Sequence, residues 1–335
     1  MFDPRRSVAF PVVQIIEDFS RPVWSDGVRS VCTIGAYDGL HLGHRTVVDH
    51  VRTIAGNMSA RSVIVTFDRH PASLVRPESA PRLLTDQQQK LELLADTGVD
   101  AVAVVRFDEA QAAESPEDFV IRVLVKALGV RAVVVGEDFH FGRHRAGNVD
   151  LLRRLGEVHD FGVVPYTLIR RDGDLVVSST GIRHALQQGD IALANDMLGR
   201  PYELRGVVAD GDKRGRTIGF PTANVEVPPA MCIPADGVYA AWYVRDSGPR
   251  AGAVYPAAVN IGRRPTFYDD QPWSVIEAHV IDNGPEDHQP LDLYGESARL
   301  RFFTRLRGEQ KFSGIDELKG QLQRDIDDAR RALSD

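Results

Sequence analysis

Cysteine is nearly missing from this chain, with only Cys32 and Cys232 among 335 residues. Lying far apart and outside any C-x-x-C, they offer neither a disulfide framework nor a thiolate metal site, and they suit a reducing cytoplasm. An excess of basic charge is also missing: 40 Lys and Arg stand against 47 Asp and Glu, for a formal net charge of -7. A surface that grips nucleic acid needs a net basic face, so no nucleic-acid partner is expected, while a small anion held in one pocket stays open. Long apolar runs are lacking as well. The longest uncharged stretch, Ala251 to Gly262, falls far short of the roughly 20 apolar residues that span a bilayer, so no membrane crossing is expected. The opening MFDPRRSVAFPVVQIIEDF is only briefly apolar and is closed by Glu17 and Asp18. It reads as an early strand rather than a secretory signal. Internal repeats and low-complexity segments are absent from the sequence.

What is present has the composition of a globular protein, and 335 residues exceed what one core usually serves. Two domains are expected. The first half alternates β-branched runs (29–35, 61–67, 101–107, 132–139 and 163–169) with helix-like segments. Continuous apolar strands separated by helices mark a parallel sheet covered on both faces, a doubly wound α/β domain. Ser115 and Pro116 read as N-cap and first residue of one of its helices, with Gly129 closing it. From Arg200 the texture changes. Prolines and glycines thicken, and the runs YELRGVV, GVYAAWYV, AVYPAAVNIG, WSVIEAHVI and ARLRFFTRL follow one another without helices. This is the pattern of an antiparallel sheet or small barrel. A long amphipathic helix, GIDELKGQLQRDIDDARRAL, ends the chain, with Ser313 or Asp316 as its expected cap. The expected organisation is a first domain over 1–186, a linker over 187–201 and a second domain over 202–335.

The stretch GAYDGLHLGH, Gly35 to His44, stands where the first strong strand hands over to a helix. Open α/β sheets bind ligands at the carboxyl ends of their strands, and Gly35, Gly39 and Gly43 would let backbone approach phosphate. His41 and His44 fall on one side of the helix start. The stretch is neither a Rossmann fingerprint nor a Walker A loop. Zinc is disfavoured, because H-E-x-x-H spacing and a nearby third ligand are both missing. A single histidine here would be an ordinary one; two in a glycine-rich strand-to-helix turn favour a site.

These residues resemble the H-x-G-H signature of the nucleotidylyltransferase superfamily. The Asp38-Gly39 variant closely resembles the FAD synthetase module of the bacterial bifunctional riboflavin kinase/FMN adenylyltransferase family. TFDRHP (66–71), VVGEDFHFGRHRAG (134–147) and VSSTGIRHAL (177–186) repeat the blocks of that module in order, with departures at Arg69 and at Ala36-Tyr37. The resemblance implies that His41 and His44 hold phosphate oxygens and that Arg183 contacts the departing pyrophosphate. It also places ATP among Gly35, Asp38, Gly39, Gly43, Asp138, Ser179 and Thr180. Asp138 reads equally as a strand-end residue bonding its own turn, and Ser179 and Thr180 as caps of the helix that carries Arg183.

Gly211 to Asn224 reads GDKRGRTIGFPTAN. Alone, KRGR is a solvated basic loop. With PTAN behind it, the stretch resembles the glycine arch and PTAN motif of riboflavin kinases, as do GVYA, NIGRRPTF, IEAHVID, DLYG and LRGEQKF further on. The resemblance assigns Gly211, Gly215, Gly219, Pro221, Thr222 and Asn224 to ATP, with Thr222 and Asn224 on Mg²⁺, for which hydroxyl and amide oxygens are suitable hard ligands. It marks Glu277 as the base; its type alone would make it an exposed strand carboxylate. Arg307 reads as a flavin contact or as a surface ion-pair partner.

The resemblance thus implies a C-terminal β-barrel riboflavin kinase domain with a terminal helix behind a nucleotidylyltransferase-like domain. The implied activity is a cytoplasmic, Mg²⁺- and ATP-dependent transferase that turns riboflavin into FMN and FMN into FAD. A homo-oligomer is compatible with the sequence.

Overall fold

The computed structural model describes residues 13–166, 170–171, 175–210, 218–263, 274–281 and 293–334. They form two compact units that divide between Ser178 and Ser179.

The first unit is built on β1 (Gln14–Ile16), β2 (Ser30–Ile34), β3 (Arg61–Phe67), β4 (Ala101–Val105), β5 (Val130–Gly136) and β8 (Gly162–Tyr166), in the order β1-β4-β3-β2-β5-β8. All pairs are parallel. β2 and β4 are buried along their whole length, as their unbroken apolar runs demand of a sheet covered twice. One face meets α1 (Leu42–Asn57) and α3 (Gln87–Ala95) through Val31, Val47, Val48, Val51, Leu94 and Val102. The other meets α5 (Pro116–Phe119) and α6 (Val149–His159) through Cys32, Ile34, Phe119, Leu124 and Leu152. Ser115 caps α5, accepting from the Asp118 N–H, and Pro116 opens it. Past Phe119 the helix widens into a π-helix over Val120–Ala127, which the helical periodicity did not foretell. Between β5 and α6 a small hairpin, β6 (His140–Phe141) with β7 (Gly147–Asn148), carries part of the GEDFHFGRHRAG block. β9 (Arg170–Arg171) and β10 (Leu175–Val176) pair as a second hairpin.

The strand order matters for function. From β2 the chain winds outward through β3 to β4 and then crosses back to β5 on the other side of β2. The carboxyl ends of β2 and β5 therefore flank the topological switch point, where sheets of this class open a crevice.

The second unit starts with α7 (Ser179–Gln188) and α8 (Ile191–Leu198), so the stretch expected as a linker contains a helix. Asp190 caps α8 and Gly199 ends it in the left-handed conformation. Then come β11 (Tyr202–Ala209), β12 (Ala223–Glu226), β13 (Gly237–Arg245), β14 (Val254–Arg263), β15 (Ser274–Val280) and β16 (Ser297–Arg307), closed as an antiparallel barrel in the order β11-β12-β15-β14-β13-β16. β12, hidden inside the PTAN motif, is the strand that the sequence pattern missed; four residues are too few to show an alternation. The terminal helix α9 (Ile315–Ala332) lays Ile326, Ala329 and Leu333 over Ala240, Trp242 and Ala258 of the barrel. Its N-cap is Gly314 rather than Ser313 or Asp316. Glu317 reaches back to the Ser313 N–H and hydroxyl, at 2.8 and 2.6 Å, and supplies the cap from inside the helix.

Candidate active sites at a sheet switch point and on a barrel face

The loop Gly35–His41 leaves β2 at the switch point and is held in an unusual backbone. Gly39 has φ +83°, and Tyr37 and Leu40, at +50° and +33°, also lie in the left-handed region that side chains avoid. Such strain persists only where surroundings enforce it. Here they do. Asp38, 6% exposed, accepts from the Leu84 N–H at 2.9 Å and from the Thr85 N–H at 3.0 Å, and Thr85 Oγ1 lies 3.2 Å from the same carboxylate. The Gly39 N–H donates to Thr85 Oγ1 at 3.1 Å, and a Cβ at Gly39 would meet Leu84. Tyr37 buries its ring and donates to Thr33 Oγ1 at 2.7 Å, and burial pushes its phenol upward.

This frame positions the two histidines. His41, 4% exposed, is the N-cap of α1, and its Nδ1 accepts the His44 N–H at 3.2 Å. An acceptor Nδ1 leaves the proton of a neutral ring on Nε2, which is then the donor aimed away from the helix. His44, one turn into α1, stacks on His41 with ring centroids 3.7 Å apart and lies 4.9 Å from Tyr37. Gly43 is required between them, because a Cβ there would press on the His41 ring and on the Val177 carbonyl at 3.3 Å. The start of the VSST block therefore lies against the H-x-G-H turn. Tyr166 of β8 donates to the Gly43 carbonyl at 3.4 Å. Asp138 follows β5 and is exposed, near its own Gly136. Ser179, Thr180 and Arg183 stand on α7, which belongs to the second unit.

In the barrel, cross-strand register assembles the second site. Glu277 of β15 pairs with Asn224 of β12 on one side and with Asn260 of β14 on the other, so the three share one face. Their neighbours Ala223, Val225, Ile276, Ala278, Val259 and Ile261 are buried and point the other way. Asn224 Oδ1 is buried with no hydrogen-bond partner among the described residues, an unsatisfied hard oxygen. Together with the Thr222 hydroxyl, that oxygen fits Mg²⁺. Among the described residues no cluster of three or more His, Cys, Asp or Glu could hold a metal. On the same face His279 Nδ1 donates to the Pro221 carbonyl, 2.8 Å away, and burial lowers its pKa. Gly219 has φ +93° with open space beside it; Gly211 and Gly215 lie outside the described residues.

Two family models match in chain order: FAD synthetase over residues 25–181 and riboflavin kinase over 198–333. The bifunctional riboflavin kinase/FMN adenylyltransferase of Bacillus subtilis is 36% identical over 310 residues, 91% of this chain and 93% of that protein. Its namesake in Escherichia coli K12 is 37% identical over 295 residues, covering 88% and 90%. The chain belongs to the bifunctional riboflavin kinase/FMN adenylyltransferase family. A solved Streptococcus pneumoniae structure described as a macrolide-efflux protein shares the fold, with TM-score 0.80 and 26% identity over 95% of this chain and 98% of that one. Among the described residues no helix is long and apolar enough to cross a membrane.

Within the family frame, Arg307 takes the ion-pair option. Its Nε and Nη2 donate to the two oxygens of Asp325 on α9 at 2.8 and 2.6 Å, and Nη1 to the Gly308 carbonyl at 2.9 Å. Reading the sequence missed Asn260 and Glu309, whose carboxylate would collide with a Cβ at Gly262, two residues along the Asn260 face. Strand register brings Asn260 there, and the segment that follows β16 brings Glu309. It also missed Lys90, a buried cation in α3; its placement four residues before Leu94, on the apolar stripe, was the available signal.

Proposed function

We propose that this chain makes FAD in two ATP-dependent steps in the cytoplasm, phosphorylating riboflavin in the barrel and adenylylating the resulting FMN at the parallel sheet. The observation that carries the reading is the pair of family matches, in order, within one chain.

In the barrel, the primary hydroxyl of riboflavin attacks the γ-phosphorus of ATP and ADP leaves. That hydroxyl must lose a proton as it bonds, and Glu277 is the carboxylate that takes it. Thr222 and Asn224 would hold Mg²⁺, which when bound neutralises charge on the nucleotide phosphates. Gly211, Gly215, Gly219 and Pro221 bring the loop backbone to ATP.

At the sheet, an FMN phosphate oxygen attacks the α-phosphorus of ATP and pyrophosphate leaves. The nucleophile is already an anion, so no base is demanded, and what remains is positioning and charge stabilisation. His41 and His44 donate to phosphate oxygens from the fixed turn, with Gly35, Gly39 and Gly43 giving close approach and Asp38 fixing the turn. The family resemblance assigns Ser179, Thr180 and Arg183, on α7, to phosphate in this reaction, with Arg183 as the bidentate partner of pyrophosphate. Asp138 lines the same strand ends.

Incubation with riboflavin, ATP and Mg²⁺, followed chromatographically, tests the reading. FMN appears first and FAD second; unchanged riboflavin together with unchanged added FMN would refute it.

A further inference from the structure

Lys90 is a buried charged group beside the carboxyl end of β3 that the mechanism above leaves unused. It is 7% exposed, and its Nζ donates to the Phe67 carbonyl, at the carboxyl end of β3, at 2.6 Å. An ammonium in such a place needs compensation. The carboxylates acting on it are Asp38, in the histidine loop after β2, and Asp68, in the loop after β3. Asp68 itself accepts the Phe107 N–H at 2.8 Å and lies 3.7 Å from the half-exposed guanidinium of Arg69. On Lys90's own helix, Asp86 is the N-cap and accepts from the Gln89 N–H at 2.7 Å.

We propose that Lys90 is a positioning residue for adenylyl transfer, its buried ammonium holding the histidine loop and the loop after β3 in one register. Asp38 ties the histidine loop to Leu84 and Thr85, and the chain from Thr85 runs directly into α3. Lys90, one turn into that helix, ties α3 to the end of β3. Two neighbouring strand ends and the start of α3 are thereby tied together by one carboxylate and one ammonium. The charge also matters for the substrates. If Lys90 loses its proton, the negative charge of Asp38 and Asp68 is less offset beside the turn that receives FMN and ATP phosphates. Burial lowers the pKa of this lysine to about 8, against the pull of the two aspartates. The charged, competent form therefore prevails below that pH and is lost as pH rises through it.

The proposal rests on locating adenylyl transfer at the histidine loop, and His44→Ala tests that premise separately: retained FAD synthesis in that variant refutes the location, whatever Lys90 does. For Lys90, both activities of the full chain are followed from about pH 6.5 to about pH 9.5 in wild type, Lys90→Met and Lys90→Arg. Lys90→Met should lower kcat for FAD synthesis roughly tenfold or more, with smaller changes in KM and with riboflavin phosphorylation intact. Wild-type FAD synthesis should fall above about pH 8. Lys90→Arg, which keeps its charge there, should hold its rate through the same window. Wild-type FAD synthesis in Lys90→Met, or one shared alkaline profile for wild type and Lys90→Arg, overturns the proposal. Should Lys90→Met lose both activities by unfolding, the wild-type profile decides, and a flat one refutes the role.

Discussion

The histidine loop of the first unit and the Asn224–Glu277 face of the barrel, the proposed sites of the two transfers, are built in opposite ways. In the loop, the backbone is bent into left-handed conformations at Tyr37, Gly39 and Leu40, and His41 and Asp38 are buried. On the barrel face the strands are regular, and Thr222, Asn224, Glu277 and His279 are half-buried. The reactions explain the difference. An anionic nucleophile asks only for donors fixed where charge develops, and rigidity serves that end. A hydroxyl nucleophile needs a group that takes a proton and later returns it to water, so a carboxylate at a solvent-reached strand face is suited.

Two substitutions would break the comparison if it is wrong. Glu277→Gln keeps the shape of the side chain and removes the base, and riboflavin phosphorylation should fall by about 10² to 10⁴ in kcat. FMN adenylylation assayed in the same preparation should be unchanged; a matched fall would mean that one lesion reaches both sites. His44→Ala removes one donor from the fixed turn, for which a loss of about 10² to 10³ in FAD synthesis is expected, with FMN formation intact.

Much of this arrangement could be read from the sequence, and the boundary of legibility is physical. Strands β2 to β5 announced themselves because a sheet buried on both faces requires unbroken apolar runs, and the H-x-G-H turn because few chemistries want two histidines among three glycines. The barrel site was less legible. Asn224 and Glu277 are 53 positions apart and meet only through register, which residue types do not encode. Asn260 stayed hidden for the same reason. Asp38 illustrates a second limit. Its position in the motif suggested contact with ATP, and the motif alone did not reveal that its carboxylate also accepts from the amides of Leu84 and Thr85 and so shapes the turn. The sequence pattern likewise gave no warning that helix 116–127 widens to a π-helix, because apolar spacing differs little between the two forms over so few residues.

Smaller effects sharpen the comparison. Asn224→Ala removes the buried oxygen that lacks a partner, and the Mg²⁺ concentration giving half-maximal riboflavin phosphorylation should rise about tenfold, while that for FAD synthesis stays put. An unchanged requirement would take Asn224 out of the metal site.

The mildest test concerns Arg307, for which a flavin contact and an ion pair were both open. Its guanidinium is engaged by Asp325, whose side chain is 4% exposed and also accepts from Gln321 Nε2 at 2.8 Å. Asp325→Asn keeps the shape and removes the charge, so α9 loses its strongest tie to β16. The expected cost is about 1 to 3 kcal/mol, since a charge-assisted pair is replaced by a neutral contact in a partly buried place. It would appear as a lower unfolding midpoint of the barrel, with KM for riboflavin little changed at low temperature. If instead the midpoint holds and KM for riboflavin rises, Arg307 acts on the flavin and the helix contact only orients it. The two outcomes separate a tie that stabilises the barrel from a side chain of its active site.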